Sequence, residues 1–282
     1  MSSEKYFENP WKNTTSEIYN GEEIIVATAD LKYIKKLLDS KKYPPVDKVD
    51  RDANEKIKKG AEEKYKLQLS VYPQHFVGNI DKAKIIILSL NPGYSTPYHD
   101  AYKTNTNYEE TIKENLEMKR PIFHAFELAN EGDLGYWGNK MKCWVEDYDK
   151  KTNREIIESL KKITENIALA EFFPYHSISY NGMYDKLGKG TSPNSNRKIK
   201  DYLPTQKFLF EKIKKRMDDK NDKVIIILTR SFAKWYEAIE GLRDYKYCYE
   251  VNNTRNFSLN PAQIYKVHRD SVEDELKGII LK

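Results

Sequence analysis

The sequence predicts a three-layer α/β/α protein whose central, mostly parallel sheet of four strands lies between helices. Three short apolar runs rich in β-branched residues are bounded by polar or turn residues: Ala83–Leu90, Ile167–Phe173 and Val224–Thr229. Continuous apolar runs of this length are typical of parallel strands that are buried on both faces. Helical patterns separate the runs, and strands that alternate with helices indicate a doubly wound sheet.

The remaining elements of this sheet follow from weaker patterns. A more polar run, Tyr245–Val251, predicts a fourth strand nearer the edge of the sheet. Apolar periodicity predicts helices over Tyr108–Leu128 (interrupted at Pro121), Arg154–Thr164, Thr205–Met217 and Ser231–Ile239. Since ligands of such sheets bind at the carboxyl ends of the strands, we expect functional residues in the four loops that follow them. These loops are Asn91–Tyr98, Pro174–Asn181, Thr229–Ser231 and Asn252–Pro261.

The first 75 residues have a different character. Two charged segments, Ala29–Ser40 and Asp52–Leu67, resemble helices. We therefore interpret residues 1–75 as a helical N-terminal cap or extension of an α/β domain that comprises residues 76–282. A loop rich in Gly, Ser and Asn is predicted over Gly182–Asn196. A closing helix is predicted over Ser271–Gly278.

Composition favours a cytoplasmic protein. No run approaches the roughly 20 apolar residues that span a bilayer, and the N-terminus has no apolar segment typical of a secretory signal. Cys143 and Cys248 fit neither a disulfide framework nor a zinc site, as expected in a reducing compartment. The net charge of +5 is modest, so charge alone does not identify a nucleic-acid partner.

The tripeptide Asn91-Pro92-Gly93 directly follows the first predicted strand. Proline fixes φ and glycine permits a positive φ, so a sharp turn is expected, which could direct a side chain into a cleft or be an ordinary turn. The surrounding run, AKIIILSLNPGYS, resembles the first motif of the uracil-DNA glycosylase superfamily. It is closest to the Gly-Ile-Asn-Pro-Gly and Gly-Met-Asn-Pro-Gly forms of the mismatch-specific and single-strand-selective branches, with Ser89 in place of the first glycine.

The resemblance, which covers residues 78–265, implies hydrolysis of the N-glycosidic bond of a base flipped out of DNA. The sequence itself shows no metal-binding cluster and no Cys-rich iron–sulfur pattern, so we expect no metal and no cofactor. Asn91 would orient the attacking water, and the turn formed with Leu90, Pro92 and Gly93 would line the substrate site. An aromatic ring would stack on the flipped base, and the candidates are Tyr94, Tyr98, Phe123 and Phe172.

Glu171 lies three residues before Pro174, where the single-strand-selective branch has an asparagine that recognises the base. A carboxylate accepts hydrogen bonds, so it would suit the exocyclic amino group of cytosine and repel the O4 carbonyl of uracil. A cytosine-type or modified base is therefore favoured over uracil. The alternative is that Glu171 caps a helix or pairs with a nearby lysine or arginine.

The histidine of the family's last motif is missing from Val251 to Asn256. His176, in the loop after the second strand, is a candidate replacement, although it could also be a histidine with a purely structural role. Four residues of the last loop are candidates for DNA contact, through phosphate, the base anion or insertion of an apolar ring into the stack. They are Asn253, Arg255, Asn256 and Phe257.

The favoured function is thus a metal-independent DNA glycosylase for an unusual or modified base, with defence against modified foreign DNA as one expected role. Its partner would be single- or double-stranded DNA, with no membrane and no obligatory protein partner. A binding module on the same scaffold that recognises nucleic acid without cleaving it is the first alternative, which the missing histidine and Glu171 support. The second is an unrelated doubly wound protein that acts on a small nucleotide or metabolite.

Overall fold

The computed structural model describes residues 8–45, 50–54, 56–95, 106–127, 133–185, 187–188, 202–266, 276 and 278–279. The chain divides into two compact units. The first comprises Met1–His75, Leu90–Glu117 and Glu171–Phe210, and the second comprises Phe76–Ser89, Met118–Ala170 and Glu211–Lys282. A boundary between a cap and a domain at residue 75 stays a prediction. Among the described residues, no helix has both the length and the apolar character to span a bilayer.

The strands of the described part of the chain are β1 (Thr14–Tyr19), β2 (Glu22–Ala27), β3 (Phe76–Val77), β4 (Ile85–Ser89), β5 (Ile167–Glu171), β6 (Ile225–Leu228), β7 (Cys248–Val251) and β8 (Ile264–Lys266). Six of them form a mixed, mostly parallel sheet in the order β3-β5-β4-β6-β7-β8, which lies in the second unit except for the last residue of β5. Strand pairs β4–β6 and β6–β7 are parallel, whereas the two edge strands pair antiparallel with their neighbours. The amides of Lys84 and Ile85 both donate to the carbonyl of Asn166, so β4 and β5 begin side by side and are parallel.

The prediction of a four-stranded sheet is wrong in number, although all four predicted strands are present as β4 to β7. The two additional strands are only two and three residues long, too short for a recognisable pattern of apolar residues. The polar run that was expected near the edge is β7, which lies second from the edge and is covered by β8.

Most of the predicted helices are present, with ends shifted by a few residues. The segment Tyr108–Leu128 is two helices, as the interruption at Pro121 predicts. Asp52–Leu67 was expected to be one helix, but among its described residues only Ala61–Tyr65 are helical. Most of the predicted closing helix Ser271–Gly278 and most of the loop Gly182–Asn196 lie outside the described residues; Leu276 and Gly278, which are described, are helical. The helices are α1 (Leu31–Leu38), α2 (Ala61–Tyr65), α3 (Thr106–Leu116), α4 (His124–Glu127), α5 (Gly135–Met141), α6 (Asn153–Thr164), α7 (Pro204–Asp218) and α8 (Phe232–Ala238).

Helix α6 shows how the core of the second unit is built. It begins at a capping box, in which the Thr152 hydroxyl accepts from the Glu155 amide and the Glu155 carboxylate accepts from the Thr152 amide. Its apolar face, which includes the fully buried Leu160, packs against alternate residues of the central strands, such as Ile87 and Leu169. Because side chains alternate along a strand, the same face of every central strand contributes to this core.

The sequence predicts a helical cap over residues 1–75, but this segment also contains strands. It contains a β-hairpin of β1 and β2, joined by Asn20 and Gly21 with φ values of 52° and 83°. Asn-Gly in this conformation is the preferred sequence of a two-residue hairpin turn. The strands contain too many charged residues for a hairpin to be recognised from their pattern. The Asn-Gly sequence between them, however, does indicate a hairpin turn.

A buried carboxylate organises the interior of the first unit. Asp30 is fully buried and accepts hydrogen bonds from the Tyr175 hydroxyl at 2.9 Å, the Thr205 hydroxyl at 2.6 Å and the Thr205 amide at 3.2 Å. Burial raises the pKa of Asp30 to about 6, and the three donors only partly offset that effect. Asp30 thereby fixes the chain that immediately precedes His176.

Candidate active site

The Asn-Pro-Gly turn holds the side chain of Asn91 by its amide nitrogen. Nδ2 donates to the Ser177 hydroxyl at 3.0 Å and to the Pro92 carbonyl at 3.1 Å. A carbonyl oxygen can only accept, so the contact with Pro92 determines which end of the amide is nitrogen. Oδ1 makes no hydrogen bond with any described residue. It is therefore the end of the side chain that can accept a hydrogen bond from water or a ligand.

The segment after β5 runs beside this turn and is joined to it by backbone contacts. The Phe173 amide donates to the Leu90 carbonyl at 2.9 Å, and the Ser177 amide lies 3.4 Å from the Pro92 carbonyl. Ser177 and Gly93 also form an isolated parallel bridge. Two of the four loops that the strand-end rule indicates are thus brought together. Ser177, in the loop after β5, holds the side chain of Asn91, in the loop after β4.

The expectation that the turn uses the conformational freedom of glycine is wrong. Gly93 does not adopt a positive φ, and a Cβ atom added to it would meet no atom within 4 Å. Pro92 is buried and Tyr94 is half-buried. The shape of the turn therefore depends on proline and on the pairing with Ser177, and glycine supplies an exposed backbone beside Asn91.

His176 packs against the back of the turn. Its Nδ1 lies 3.0 Å from the Gly93 carbonyl and its Nε2 lies 3.2 Å from the Tyr72 carbonyl. A neutral imidazole has one N–H and can donate to only one of these carbonyls. Burial lowers the pKa of His176 to about 4, although both carbonyls act in the opposite direction. Both nitrogens face backbone oxygens, so His176 positions the turn, and the expectation that it replaces the family's catalytic imidazole is corrected.

Glu171 lies at the carboxyl end of β5, with only 3 % of its surface exposed. Its amide donates to the His75 carbonyl at 2.8 Å, which fixes the strand end. The ring of His75 accepts from the Trp11 indole N–H at 3.4 Å, and burial lowers the pKa of His75 to about 3. No hydrogen bond joins Glu171 to Asn91. The convergence of these two side chains on one cavity stays a prediction.

Two of the aromatic residues proposed to stack on a base are core residues instead. Phe172 is 1 % exposed and packs against two further aromatic rings, and Phe123 stacks on Phe126 at 5.3 Å between ring centres. Neither ring can meet a ligand without unpacking the protein. Tyr98 lies outside the described residues. Tyr94, half-buried beside the turn, is the candidate that agrees with the structure.

The loop after β7 also differs from expectation. Asn253 is an internal turn residue, since its Oδ1 accepts from the amides of Arg255 and Asn256 at 3.0 and 3.3 Å. Oδ1 of Asn256 accepts from Lys140 at 3.0 Å. Phe257 is 1 % exposed in the core of the second unit, so it cannot insert between bases. Arg255 keeps an exposed side chain that could contact a phosphate.

Sequence reasoning missed three polar residues: Ser177, which holds Asn91 in the first unit, and Lys140 and Arg230, which contact the ring of Phe257 in the second unit. Ser177 and Arg230 lie in loops that the strand-end rule had indicated, so a closer inspection of polar residues in those loops could have found them. Lys140 lies on α5, and no local pattern connects it with the loop that it contacts 116 residues later.

The first unit contains a cavity of about 530 Å³ away from the predicted site residues, lined by Tyr43, Pro44, Arg51 and Met183 among others. Across the described ranges, no group of three His, Cys, Asp or Glu side chains could hold a metal ion. Cys143 and Cys248 are both free thiols.

Comparisons of the whole chain with protein-family models, with curated proteins and with solved structures found no match.

Proposed function

We propose that the chain is a DNA glycosylase that hydrolyses the N-glycosidic bond of an unusual or modified base, with cytosine-type bases favoured over uracil. The observation that supports the proposal is the hydrogen bonding of the Asn91 side chain. Its amide nitrogen is held by Ser177 and Pro92, and its oxygen makes no hydrogen bond with the described residues. A side chain fixed in this way is suited to orient a water molecule beside a substrate.

In this reaction the role of Asn91 is to position the attacking water. The glycosidic C–N bond breaks, the base leaves with the bonding electrons, and the water oxygen forms a bond to the sugar C1′. A neutral amide is a weak base, so Oδ1 would align the water by accepting a hydrogen bond, while the proton passes on to solvent or to the departing base. Alignment of a reactant in this way can contribute several kcal/mol to lowering the barrier.

Glu171 supports the preference for an amino-bearing base. It is a buried carboxyl group at a strand end, and the hydrogen bond between its amide and His75 keeps that end in place. A carboxylate there would accept from the N4 amino group of a cytosine-type base. Glu171→Gln would present an amide that can both donate and accept, so we expect it to weaken discrimination against uracil. Unchanged discrimination would assign Glu171 a structural role only.

The second candidate function is a nucleic-acid-binding module without catalysis. His176 favours it, because both ring nitrogens face backbone carbonyls and the last loop offers no histidine. A departing base anion would then lack an imidazole to stabilise it. The two candidates differ in one measurable respect, since only a glycosylase leaves abasic sites.

The test is incubation of the protein with DNA that carries different base modifications, followed by alkaline cleavage and mass spectrometry of the released bases. Asn91→Ala should abolish release and retain affinity for DNA. Asn221→Ala, which alters an exposed asparagine in a turn of the second unit, is the matched control and should be fully active. If the native protein releases no base from any substrate but binds DNA, the binding module is the correct function. If Asn91→Ala remains active, the proposed role of the turn is wrong.

A further inference from the structure

Two cationic side chains lie against the same aromatic ring in the second unit. Nζ of Lys140 lies 4.8 Å from the ring centre of Phe257, and Cζ of Arg230 lies 5.9 Å from it. Both distances are within the range of a cation–π contact. The ring is almost completely buried, so it forms an apolar support on which the two cations are held at the protein surface.

Neither cation has an anionic partner among the described residues. Nζ of Lys140 donates to two neutral oxygens, Oδ1 of Asn256 at 3.0 Å and the Phe257 carbonyl at 2.9 Å. The Nε atom of Arg230 is shielded from solvent and makes no hydrogen bond with the residues that the structure describes. An N–H group in that position normally finds an acceptor, because leaving it unpaired costs about 1–3 kcal/mol.

The two positive charges also repel each other. Partial burial lowers the pKa of the Lys140 ammonium group, and the neighbouring charge of Arg230 lowers it further. An arrangement in which both charges are stabilised requires an anion close to both, since an anion would offset the desolvation and the repulsion together.

The position of the pair in the sheet is one where ligands are expected. Arg230 follows β6, and Asn256 and Phe257 belong to the loop after β7, the parallel neighbour of β6. The carboxyl ends of adjacent parallel strands lie at the same edge of a sheet, which is the usual ligand edge of a doubly wound fold. The start of the Arg230 loop is fixed, because the Thr229 amide and hydroxyl both donate to the Leu88 carbonyl.

We propose that Lys140 and Arg230 form a binding site for a phosphate group. A phosphate monoester carries about two negative charges, which would balance both cations, whereas a diester carries one charge that both cations would share. Phosphate oxygens match the fork of N–H donors on a guanidinium group, beside which a lysine acts as a point charge. The shared chemistry is that of a phosphate monoester or diester, from a free nucleotide or from a nucleic-acid strand. This site is independent of the proposed glycosylase activity, since it uses other residues in the other unit.

The experiment is isothermal titration of the full chain with inorganic phosphate, a nucleoside monophosphate and a 12-nucleotide single strand. Lys140→Gln and Arg230→Gln should each weaken binding about tenfold, as expected for loss of a hydrogen bond to a charged group. Lys142→Gln removes the same charge two residues from Lys140, where Nζ lies over Tyr148, and should bind like the native chain. Binding of the small anions identifies a free phosphate or nucleotide, whereas binding of the strand alone identifies a nucleic acid.

Two further measurements separate binding from folding. Phosphate should raise the thermal midpoint of the native chain and of Lys142→Gln by more than it raises that of Arg230→Gln at the same concentration. Arg230→Lys, which retains the charge and loses the guanidinium fork, should recover part of the affinity. The proposal is overturned if all three ligands bind the two glutamine variants as they bind Lys142→Gln. Base release measured on the same variants tests the glycosylase proposal separately, because phosphate binding would survive the failure of that activity.

Discussion

Asn91 and Ser177, 86 residues apart in the chain, are joined by a hydrogen bond of 3.0 Å from the asparagine amide to the serine hydroxyl. The serine hydroxyl in turn donates to the Ser179 carbonyl at 3.0 Å. Its one proton is therefore used, and it meets Asn91 as an acceptor. The chain of hydrogen bonds fixes the amide orientation from the loop after β5, and directs Oδ1 away from both of its anchors.

Removal of this anchor should lower catalysis without removing a reacting group. Ser177→Ala takes away one hydrogen bond to Asn91, with a net value of about 1 kcal/mol, so we expect kcat for base release to fall about fivefold with KM little changed. Ser179→Ala is the control, because only the backbone carbonyl of Ser179 takes part. Equal rates for Ser177→Ala and the native chain, measured at saturating substrate, would show that the anchor is dispensable.

The central sheet could be predicted from the sequence because its strands are buried on both faces. A run such as Val224–Thr229 is apolar up to its last residue, so the strand can be identified without knowledge of its partners. The hairpin of β1 and β2, in contrast, buries only part of its surface, and β3 is two residues long. Elements of this kind are stabilised by pairing with other segments, which a single sequence does not display.

The candidate site was predictable only as a set of loops. The strand-end rule indicated the loops that contain Asn91 and Ser177, and the structure joins them. Which aromatic residues would be exposed was not predictable, because a ring at a strand end or in a loop can turn into the core, as Phe172 and Phe257 do. The contact of Lys140 and Arg230 with the same ring, that of Phe257, depends on tertiary contacts alone.

Two glycines with similar backbone conformations offer a test of how closely the chain at Gly78 packs against β5. Gly78 and Gly60 have φ values of 83° and 77°, but a Cβ atom on Gly78 would lie 2.4 Å from the Ile167 carbonyl oxygen, whereas one on Gly60 meets nothing within 4 Å. Gly60→Ala should cost about 1 kcal/mol from backbone strain alone. Gly78→Ala should cost roughly 3 kcal/mol or more, because the chain must also move away from β5. Equal urea midpoints for the two variants would contradict the close contact.

Buried histidines should make the protein sensitive to mild acid. Burial lowers the pKa of His75 to about 3 and those of His124 and His176 to about 4. The unfolded chain binds protons at these positions below pH 6.5 and the native chain does not, so the free energy of unfolding decreases as pH falls from about 6.5 to about 4. Each histidine should contribute a loss of about 2 kcal/mol at pH 5.

Substitution of one of these histidines separates its contribution from the rest. His124→Gln removes one titrating group, so its loss of stability between pH 7 and pH 5 should be smaller than that of the native chain by about 2 kcal/mol. The measurement is urea unfolding at both pH values. An identical loss in both proteins would mean that His124 is protonated in the native state.

Asp30 should act in the opposite direction over part of the same range. Burial raises its pKa from 3.8 to about 6, so between these values the native chain binds more protons than the unfolded chain. The contribution of Asp30 to stability therefore increases as pH falls through 6 and is lost as pH rises. Its size is about 2 kcal/mol between pH 7 and pH 4, and the histidines mask it in the native chain alone.

The difference between the native chain and Asp30→Asn isolates this contribution, because the histidines are common to both proteins. The asparagine is neutral at every pH, so the native chain should gain about 2 kcal/mol relative to the variant when pH is lowered from 7 to 4. Asp219→Asn, which alters an exposed carboxylate in a turn, is the control. The native chain should show no such gain relative to Asp219→Asn, because both proteins retain Asp30. A gain for the native chain as pH rises would have the wrong sign. It would mean that the hydrogen bonds from Tyr175 and Thr205 stabilise the Asp30 carboxylate by more than burial destabilises it.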